Sequence, residues 1–140
     1  MVDMKLELIL LGVTDVDRAK AFYVDKAGFT LDVDHQSSDD FRVVQLTPPG
    51  SACSITIGLG LTTTPPGSIK GIHLVVTDIE AARAELVERG VEVSEIRHLA
   101  DGKWQSGAHP NRGDYESFAD FNDPDGNGWI LQERGHGGPR

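Results

Sequence analysis

The stretch Val13-Thr14-Asp15-Val16-Asp17-Arg18-Ala19-Lys20-Ala21-Phe22-Tyr23 indicates the fold of this 140-residue chain, because part of it occurs twice. The second copy begins with Val76-Thr77-Asp78-Ile79, so the two aspartates are 63 positions apart (78 − 15 = 63). A glycine follows each copy, at Gly28 and at Gly90. A repeat of this kind predicts that one supersecondary unit is built twice from the same chain.

Each copy of the repeat has the signals of a helix between two strands. Asp15 and Asp78 are suitable N-caps, since a short carboxylate can accept hydrogen bonds from the free amides of a first helical turn. Gly28 and Gly90 suit the left-handed position that ends a helix. Alternating stretches over 29–33 and 91–96 then predict strands. Two further strands are predicted to close each copy, over about 39–47 and 52–60 in the first and about 115–122 and 128–134 in the second.

The closing strands of both copies are joined by turn sequences. Thr47-Pro48-Pro49-Gly50-Ser51 in the first copy corresponds to Asp123-Pro124-Asp125-Gly126-Asn127 in the second. Proline presets one backbone dihedral of a turn and glycine supplies a positive φ. The sequence therefore predicts an α+β fold of two βαβββ modules, over about 4–61 and 68–134 of a single domain 1–140.

These paired motifs, in this order, resemble the vicinal-oxygen-chelate superfamily of glyoxalases, bleomycin-resistance proteins and dioxygenases. The resemblance covers nearly the whole chain and weakens only over 97–114 and after Glu133. It implies that the two modules form a cupped mixed sheet around a ligand cavity. It also implies a homodimer as the expected assembly.

The metal ligands of enzymatic members of this superfamily have four counterparts here. By the motif spacing these corner positions are Leu8, Ser54, Gly71 and Ile130. A divalent site needs several imidazole or carboxylate groups, and none of the four side chains is one. The sequence therefore predicts no metal and no cofactor. The next layer of the predicted cavity consists of Leu10, Thr56, His73 and Gln132.

Ligand-binding residues are predicted on the cavity faces and in the least regular part of the chain, 97–114. A loop of this length is either a functional lid or an exposed loop anchored by its tryptophan, and both interpretations stay open. In the lid interpretation His98 and His109 join His73 as acid–base groups. The predicted ligand-binding residues are His73, Ser54, Thr56, Gln132, Trp104 and Tyr115.

Composition narrows the partners of the chain. The formal net charge is −9 and there is no basic run, which argues against nucleic acid and anionic membranes as partners. The N-terminus has no signal-peptide pattern, and the single cysteine, Cys53, is expected to be a buried strand residue rather than a nucleophile. A lone cysteine fits the reducing cytoplasm.

Three functional hypotheses follow, together with a less favoured fourth. The first is a small-molecule-binding protein that holds an apolar or aromatic compound, as metal-free bleomycin-resistance proteins do. The second is a metal-independent lyase or isomerase that uses His73 and a lid histidine for proton transfer. The third is a scaffold whose cavity is vestigial, and the last is a metal-dependent enzyme with a non-standard site. Whether the chain is an enzyme stays open.

Overall fold

The computed structural model describes residues 1–138 and divides the chain into two compact units. The first unit comprises Met1–Ile69 and the turn Asp123–Asn127, and the second comprises residues 70–122 and those from 128 onward. Within the described residues, no helix has the length and apolar character needed to cross a membrane.

The first unit is a four-stranded mixed sheet with one helix. The strand order is β1-β4-β3-β2, in which β1 runs parallel to β4 and the other neighbours are antiparallel. The helix α1 continues into a wider π-helical turn over Phe22–Lys26. The elements are β1 (Leu8–Leu10), α1 (Val16–Ala21), β2 (Thr30–Ser38), β3 (Phe41–Thr47) and β4 (Ser54–Leu59).

The predicted signals at the two ends of the first helix are confirmed. The Asp15 carboxylate accepts a hydrogen bond from the Arg18 N–H at 3.0 Å, which satisfies one of the free amides of the first turn. The Ala27 N–H donates to the Phe22 carbonyl at 2.9 Å and closes the wide last turn. Gly28 then takes a left-handed φ of 79°, which costs glycine little.

The second unit is a five-stranded mixed sheet with one helix. The strand order is β5-β9-β8-β6-β7, and β5 runs parallel to β9 as β1 does to β4. Asp78 caps the helix α2 through the Ala81 N–H, and Gly90 follows with a φ of 94°. The elements are β5 (Ile72–Val76), α2 (Ile79–Glu88), β6 (Arg97–Ala100), β7 (Lys103–Ser106), β8 (Ser117–Asn122) and β9 (Gly128–Glu133).

The prediction of a strand over 91–96 is wrong, and the segment 97–114, predicted to be the least regular part of the chain, contains two strands. The Arg83 guanidinium binds the carbonyls of Val93 and Ser94 at 3.2 and 2.7 Å, so these backbone groups are satisfied by a side chain. The strands come later, as the hairpin β6–β7. Its turn is Asp101-Gly102, with φ values of 51° and 73°, which is the backbone that an Asp-Gly hairpin turn requires.

Each helix covers one face of its own sheet, and the alternating residues of that face form the core of the unit. In the second unit the rings of Phe121 and Trp129 stack at 6.1 Å with an interplanar angle of 5°. The chain thus has the two mixed sheets and few helices of the predicted α+β fold. The core consists of Leu11, Val16, Ala19, Phe22, Tyr23, Phe29, Val44, Leu46, Ile55 and Ile57 in the first unit, and Ile79, Leu86, Val91, Ala119, Phe121, Trp129 and Leu131 in the second.

Candidate functional site

The face of each sheet that points away from its helix carries polar side chains, among them five of the six predicted ligand-binding residues; Tyr115 lies outside the strands. We call these the first and second helix-distal faces. Strand alternation and the pairing registers assign the residues to them. The first includes Leu8, Leu10, Val43, Gln45, Thr47, Ser54 and Thr56, and the second includes His73, Val75, Arg97, Trp104, Phe118, Asp120, Ile130 and Gln132.

A chain of hydrogen bonds crosses the first helix-distal face. Gln45 Nε2 donates to the Ser54 hydroxyl at 3.1 Å, and the hydroxyls of Ser54 and Thr47 are 2.7 Å apart. The Thr47 hydroxyl donates to the Asp32 carboxylate. The neighbouring Thr56 side chain is only 4% exposed, and its hydroxyl has no hydrogen-bond partner within residues 1–138.

The pairing register corrects the layers that the repeat predicted. In the first unit Leu8 pairs with Ser54 and Leu10 pairs with Thr56, as predicted for the corner positions and for the next layer. In the second unit His73 pairs with Ile130, and Gln132 pairs with Val75. The prediction that His73 and Gln132 share a layer is therefore wrong. The turn between β3 and β4 and the turn between β8 and β9 differ in length. The numbering offset between the two turn motifs therefore does not give the correct counterparts in β4 and β9.

An aromatic cluster dominates the second helix-distal face. The Trp104 ring is 56% exposed and meets the Phe118 ring edge-to-face, with centroids 5.8 Å apart. The Arg97 guanidinium lies 5.1 Å from the centroid of Trp104 and forms an ion pair with Asp120 at 2.8 Å. A shallow groove of about 390 Å³ adjoins this cluster and is lined by Ser94, Glu95, Ile96, Arg97, Trp104, Gln105 and Ser106.

His73 lies on the second helix-distal face with one ring nitrogen already in use. Its Nδ1 is 2.8 Å from the Gly71 carbonyl, and since a carbonyl only accepts, Nδ1 carries the hydrogen. Nε2 of the neutral ring is then a hydrogen-bond acceptor on the exposed side chain.

The structure separates His73 from the two histidines of the predicted lid. His98 is buried on the opposite face of the sheet, where it pairs with Ser117 and its Nδ1 donates to the Gly107 carbonyl at 2.7 Å. The His109 ring packs against His98 with centroids 5.2 Å apart. The predicted grouping of His98 and His109 with His73 is therefore wrong, because strand alternation turns His98 toward the helix-covered face.

The segment 107–116 is held to the body of the second unit by charged and backbone contacts. The Arg112 guanidinium binds both carboxylate oxygens of Glu133, at 2.6 and 2.8 Å, and reaches Asp78 and Glu80. The Tyr115 N–H donates to the Glu133 carbonyl at 2.8 Å. Tyr115 itself is half exposed, at a φ of 64°, with the Arg134 guanidinium 5.3 Å from its ring centroid.

Glu133 has a fully buried side chain and an environment that keeps it ionised. Burial raises its pKa, but the hydrogen bonds from Arg112 and from the Ile79 N–H outweigh burial and hold the pKa below its ordinary value. The Arg112 guanidinium correspondingly has a raised pKa, first because of its hydrogen bonds to Glu133. No role was predicted for Glu133 from the sequence.

One group of side chains in residues 1–138 has the donors and the spacing for a metal ion. It consists of Asp78, Glu133 and His136, whose ligand atoms lie within 4.8 Å of one another. The Arg112 guanidinium is already bonded to both carboxylates, so a divalent cation there would have to approach a fixed positive charge. Glu133 follows Trp129 and Leu131 on the helix-covered face, so this group is not part of either helix-distal face.

No role was predicted from the sequence for Gln45, Arg97 or Phe118 either. The alternation of Val43, Gln45 and Thr47 contained the signal for Gln45, because it places all three on one face. The Asp-Gly turn contained the signal for Arg97 and Phe118, because it fixes the register of the β6–β7 hairpin, which pairs with β8.

Comparison with known proteins agrees with this architecture of two strand–helix–strand units. The family model described as the Glyoxalase/Bleomycin resistance protein/Dioxygenase superfamily matches residues 5–131. The chain belongs to this superfamily.

Two solved structures and one curated protein illustrate the similarity. TnmS3, an antibiotic binding protein from Streptomyces sp. CB03234, is 33% identical, with a TM-score of 0.73 and coverage of 96% of this chain and 98% of its own. A superfamily member from Sphaerobacter thermophilus DSM 20745 is 29% identical, with a TM-score of 0.73 and coverage of 94% and 98%. The uncharacterised YetH of Bacillus subtilis (strain 168) is 25% identical over 132 residues, which are 89% of this chain and 94% of YetH.

Proposed function

We propose that this chain binds a small apolar or aromatic molecule on its helix-distal faces and sequesters it without chemical change. The observation that carries the proposal is Trp104, a large aromatic side chain more than half exposed on a sheet face. Phe118 fixes its edge and Arg97 lies against its ring, so the indole is ordered before a ligand arrives. The similarity to the antibiotic binding protein TnmS3 supports the same class of function.

An ordered, exposed indole is a favourable surface for a planar ligand. Stacking removes apolar area of both partners from water, at about 25 cal/mol per Å². It also adds about 0.5–1.5 kcal/mol from the ring geometry. The adjoining groove offers the hydroxyl of Ser106 and the amide of Gln105 to polar substituents at the edge of such a ligand. Ile130, Gln132 and His73 extend the surface along the same face.

The acid–base alternative has weaker support. It requires His73 and a second histidine near one substrate, and His98 and His109 lie toward the other face of the sheet. Within residues 1–138, the metal-dependent alternative has only the Asp78–Glu133–His136 group, and Arg112 is already bonded to both of its carboxylates.

We further propose that the chain acts in the cytoplasm as a homodimer. The lone Cys53 supports a reducing compartment. The N-terminal residues Val2, Met4 and Leu6 alternate with charged residues and are 70–81% exposed, as is expected of an edge segment that pairs with a second copy. Analytical ultracentrifugation tests the assembly. We expect twice the mass of one chain, and a monomer at tens of micromolar would contradict it.

The test of binding is titration calorimetry with 2-naphthol, a planar aromatic probe, on the native chain and on Trp104→Leu. We expect saturable binding that weakens about tenfold in the variant, because the lost stacking is about 1.4 kcal/mol. Val87→Ala, at an exposed apolar position on α2, is the matched control and should bind as the native chain does. Equal affinity for native and Trp104→Leu chains would place the binding surface elsewhere and contradict the proposal.

A further inference from the structure

The hydrogen-bond chain on the first helix-distal face has a fixed direction, because it ends on a group with no hydrogen to donate. Ionised Asp32 can only accept hydrogen bonds, so the Thr47 hydroxyl donates its one hydrogen to that carboxylate. The Ser54 hydroxyl must then donate to Thr47, since the Thr47 oxygen can only accept from it. Ser54 has no hydrogen left and can only accept from Gln45, which agrees with Nε2 as its neighbour.

This direction fixes the orientation of the Gln45 amide. Its NH₂ end is held at Ser54 through one hydrogen, at 3.1 Å. Its Oε1 makes no hydrogen bond within residues 1–138 and is not a buried atom, so it is available as an acceptor on this face. A glutamine amide in water can turn either its oxygen or its nitrogen toward a ligand. Here the Asp32 carboxylate, acting through the two hydroxyls, holds Nε2 at Ser54 and leaves Oε1 for the ligand.

The surroundings of Gln45 are apolar or hydroxyl-bearing. Across the strand pair it lies opposite Thr56 in β4 and Val33 in β2. Leu10 lies beside Thr56, and the strand residues on this face include no lysine or arginine. An anionic ligand would therefore meet the Asp32 charge without a compensating cation.

From these observations we infer a second ligand subsite, in which Gln45 Oε1 accepts a hydrogen bond from a neutral apolar molecule that carries a donor such as a phenol, an alcohol or an amide N–H. Asp32, Thr47 and Ser54 are positioning residues that act through Gln45. The inference rests on the proposed function and adds the chemistry of the ligand to it. It does not depend on Trp104, which lies in the other unit.

The test uses three naphthalenes that differ in one substituent: 2-naphthol donates a hydrogen bond, 2-methoxynaphthalene does not, and 2-naphthoate is anionic. For the site that Trp104→Leu leaves unchanged, we expect titration calorimetry on the native chain to give about threefold to tenfold tighter binding of naphthol than of methoxynaphthalene, the range of one net hydrogen bond. Naphthoate is expected to bind most weakly. Gln45→Met keeps the shape of the side chain, removes the acceptor and should abolish the preference.

Thr47→Val separates positioning from contact. It breaks the chain between Ser54 and Asp32, so the Gln45 amide can present either end and the preference should fall to less than about twofold. Affinity for methoxynaphthalene should not decrease. Thr63→Val, at an exposed loop position, is the matched control and should leave both affinities unchanged.

A second measurement does not need a ligand. In the native chain one hydrogen of Gln45 Nε2 is bonded to Ser54 and the other is not, so the two side-chain amide protons should have well-separated NMR shifts. Thr47→Val and Asp32→Asn should both reduce this separation, whereas Thr63→Val should not. Unchanged Gln45 resonances in the first two variants would overturn the inference.

The binding outcomes distinguish this inference from the proposed function. Saturable binding with equal affinities for naphthol and methoxynaphthalene would overturn the inference and leave small-molecule binding intact. No saturable binding of any of the three probes would overturn both.

Discussion

Arg112 connects three parts of the second unit through its ion pairs. Its guanidinium bridges the fully buried carboxylate of Glu133 and the exposed carboxylates of Asp78 and Glu80 at the start of α2. Glu133 in turn accepts the Ile79 N–H, one of the amides that a helix leaves free. One side chain therefore fixes a loop, a strand end and a helix end.

Removal of that guanidinium should be costly. Arg112→Met leaves the Glu133 carboxylate buried with only the Ile79 amide as a partner. We expect the free energy of unfolding to fall by about 3 kcal/mol, at the lower end of what a broken buried ion pair costs. Urea denaturation measures this loss. Lys103→Met removes a cation from an exposed position and should change stability by less than about 0.5 kcal/mol; a similar loss in both variants would contradict the argument.

At the scale of the element, the β6–β7 hairpin places Trp104 on the second helix-distal face. Asp101 and Gly102 both take positive φ values, and the strands on either side pair Leu99 with Trp104. The structure leaves open space around a side chain at Gly102, so the constraint there is the backbone conformation alone.

Gly102→Ala should therefore destabilise the hairpin through backbone strain. The left-handed conformation costs a residue with a Cβ about 1 kcal/mol. We expect faster amide hydrogen exchange in Arg97–Ala100 and Lys103–Ser106, and weaker binding of 2-naphthol because Trp104 is less ordered. Gly138→Ala, at an exposed glycine that also has open space around it, serves as the control. Native exchange rates in Gly102→Ala would show that the turn conformation is not required.

At the scale of the whole molecule, ionised carboxylates make stability depend on pH. The Asp34 carboxylate has a strongly lowered pKa, first because of its hydrogen bonds from Arg42 and then from Lys20. The Asp78 pKa is lowered by the Ala81 N–H and by Arg112. Asp34 lies in the first unit, and Asp78 and Glu133 lie in the second. The carboxylates that make stability depend on pH therefore occur in both units.

A pKa that is lower in the folded chain than in the unfolded chain stabilises the fold above the unfolded value. The ordinary values are 3.8 for Asp34 and Asp78 and 4.5 for Glu133. The contribution should therefore be constant above about pH 5.5 and decline as the pH falls through 4.5 and below. Thermal unfolding from pH 7 to pH 3 should show this decline, and Arg112→Met should have a shallower one. Parallel curves for the two chains would contradict the assignment to Glu133.

The sequence by itself determined the repeated plan of the molecule. The capping aspartates Asp15 and Asp78 and the glycines Gly28 and Gly90 are local signals, because a helix end depends on dihedrals and hydrogen bonds within a few residues. Strand alternation similarly placed Ser54 and Thr56 together on one face. Such features need no information about distant residues.

Only the tertiary structure decided which distant side chains meet. The register that pairs His73 with Ile130, the turn of His98 toward the helix-covered face, and the ion pairs of Arg112 with Glu133 all depend on how strands and loops pack. The orientation of the Gln45 amide depends on Asp32 through the hydroxyl of Thr47 in its own strand and that of Ser54 in the next strand. Periodicity along the chain gives the face on which a residue lies, but contacts between strands set the neighbour that it meets there.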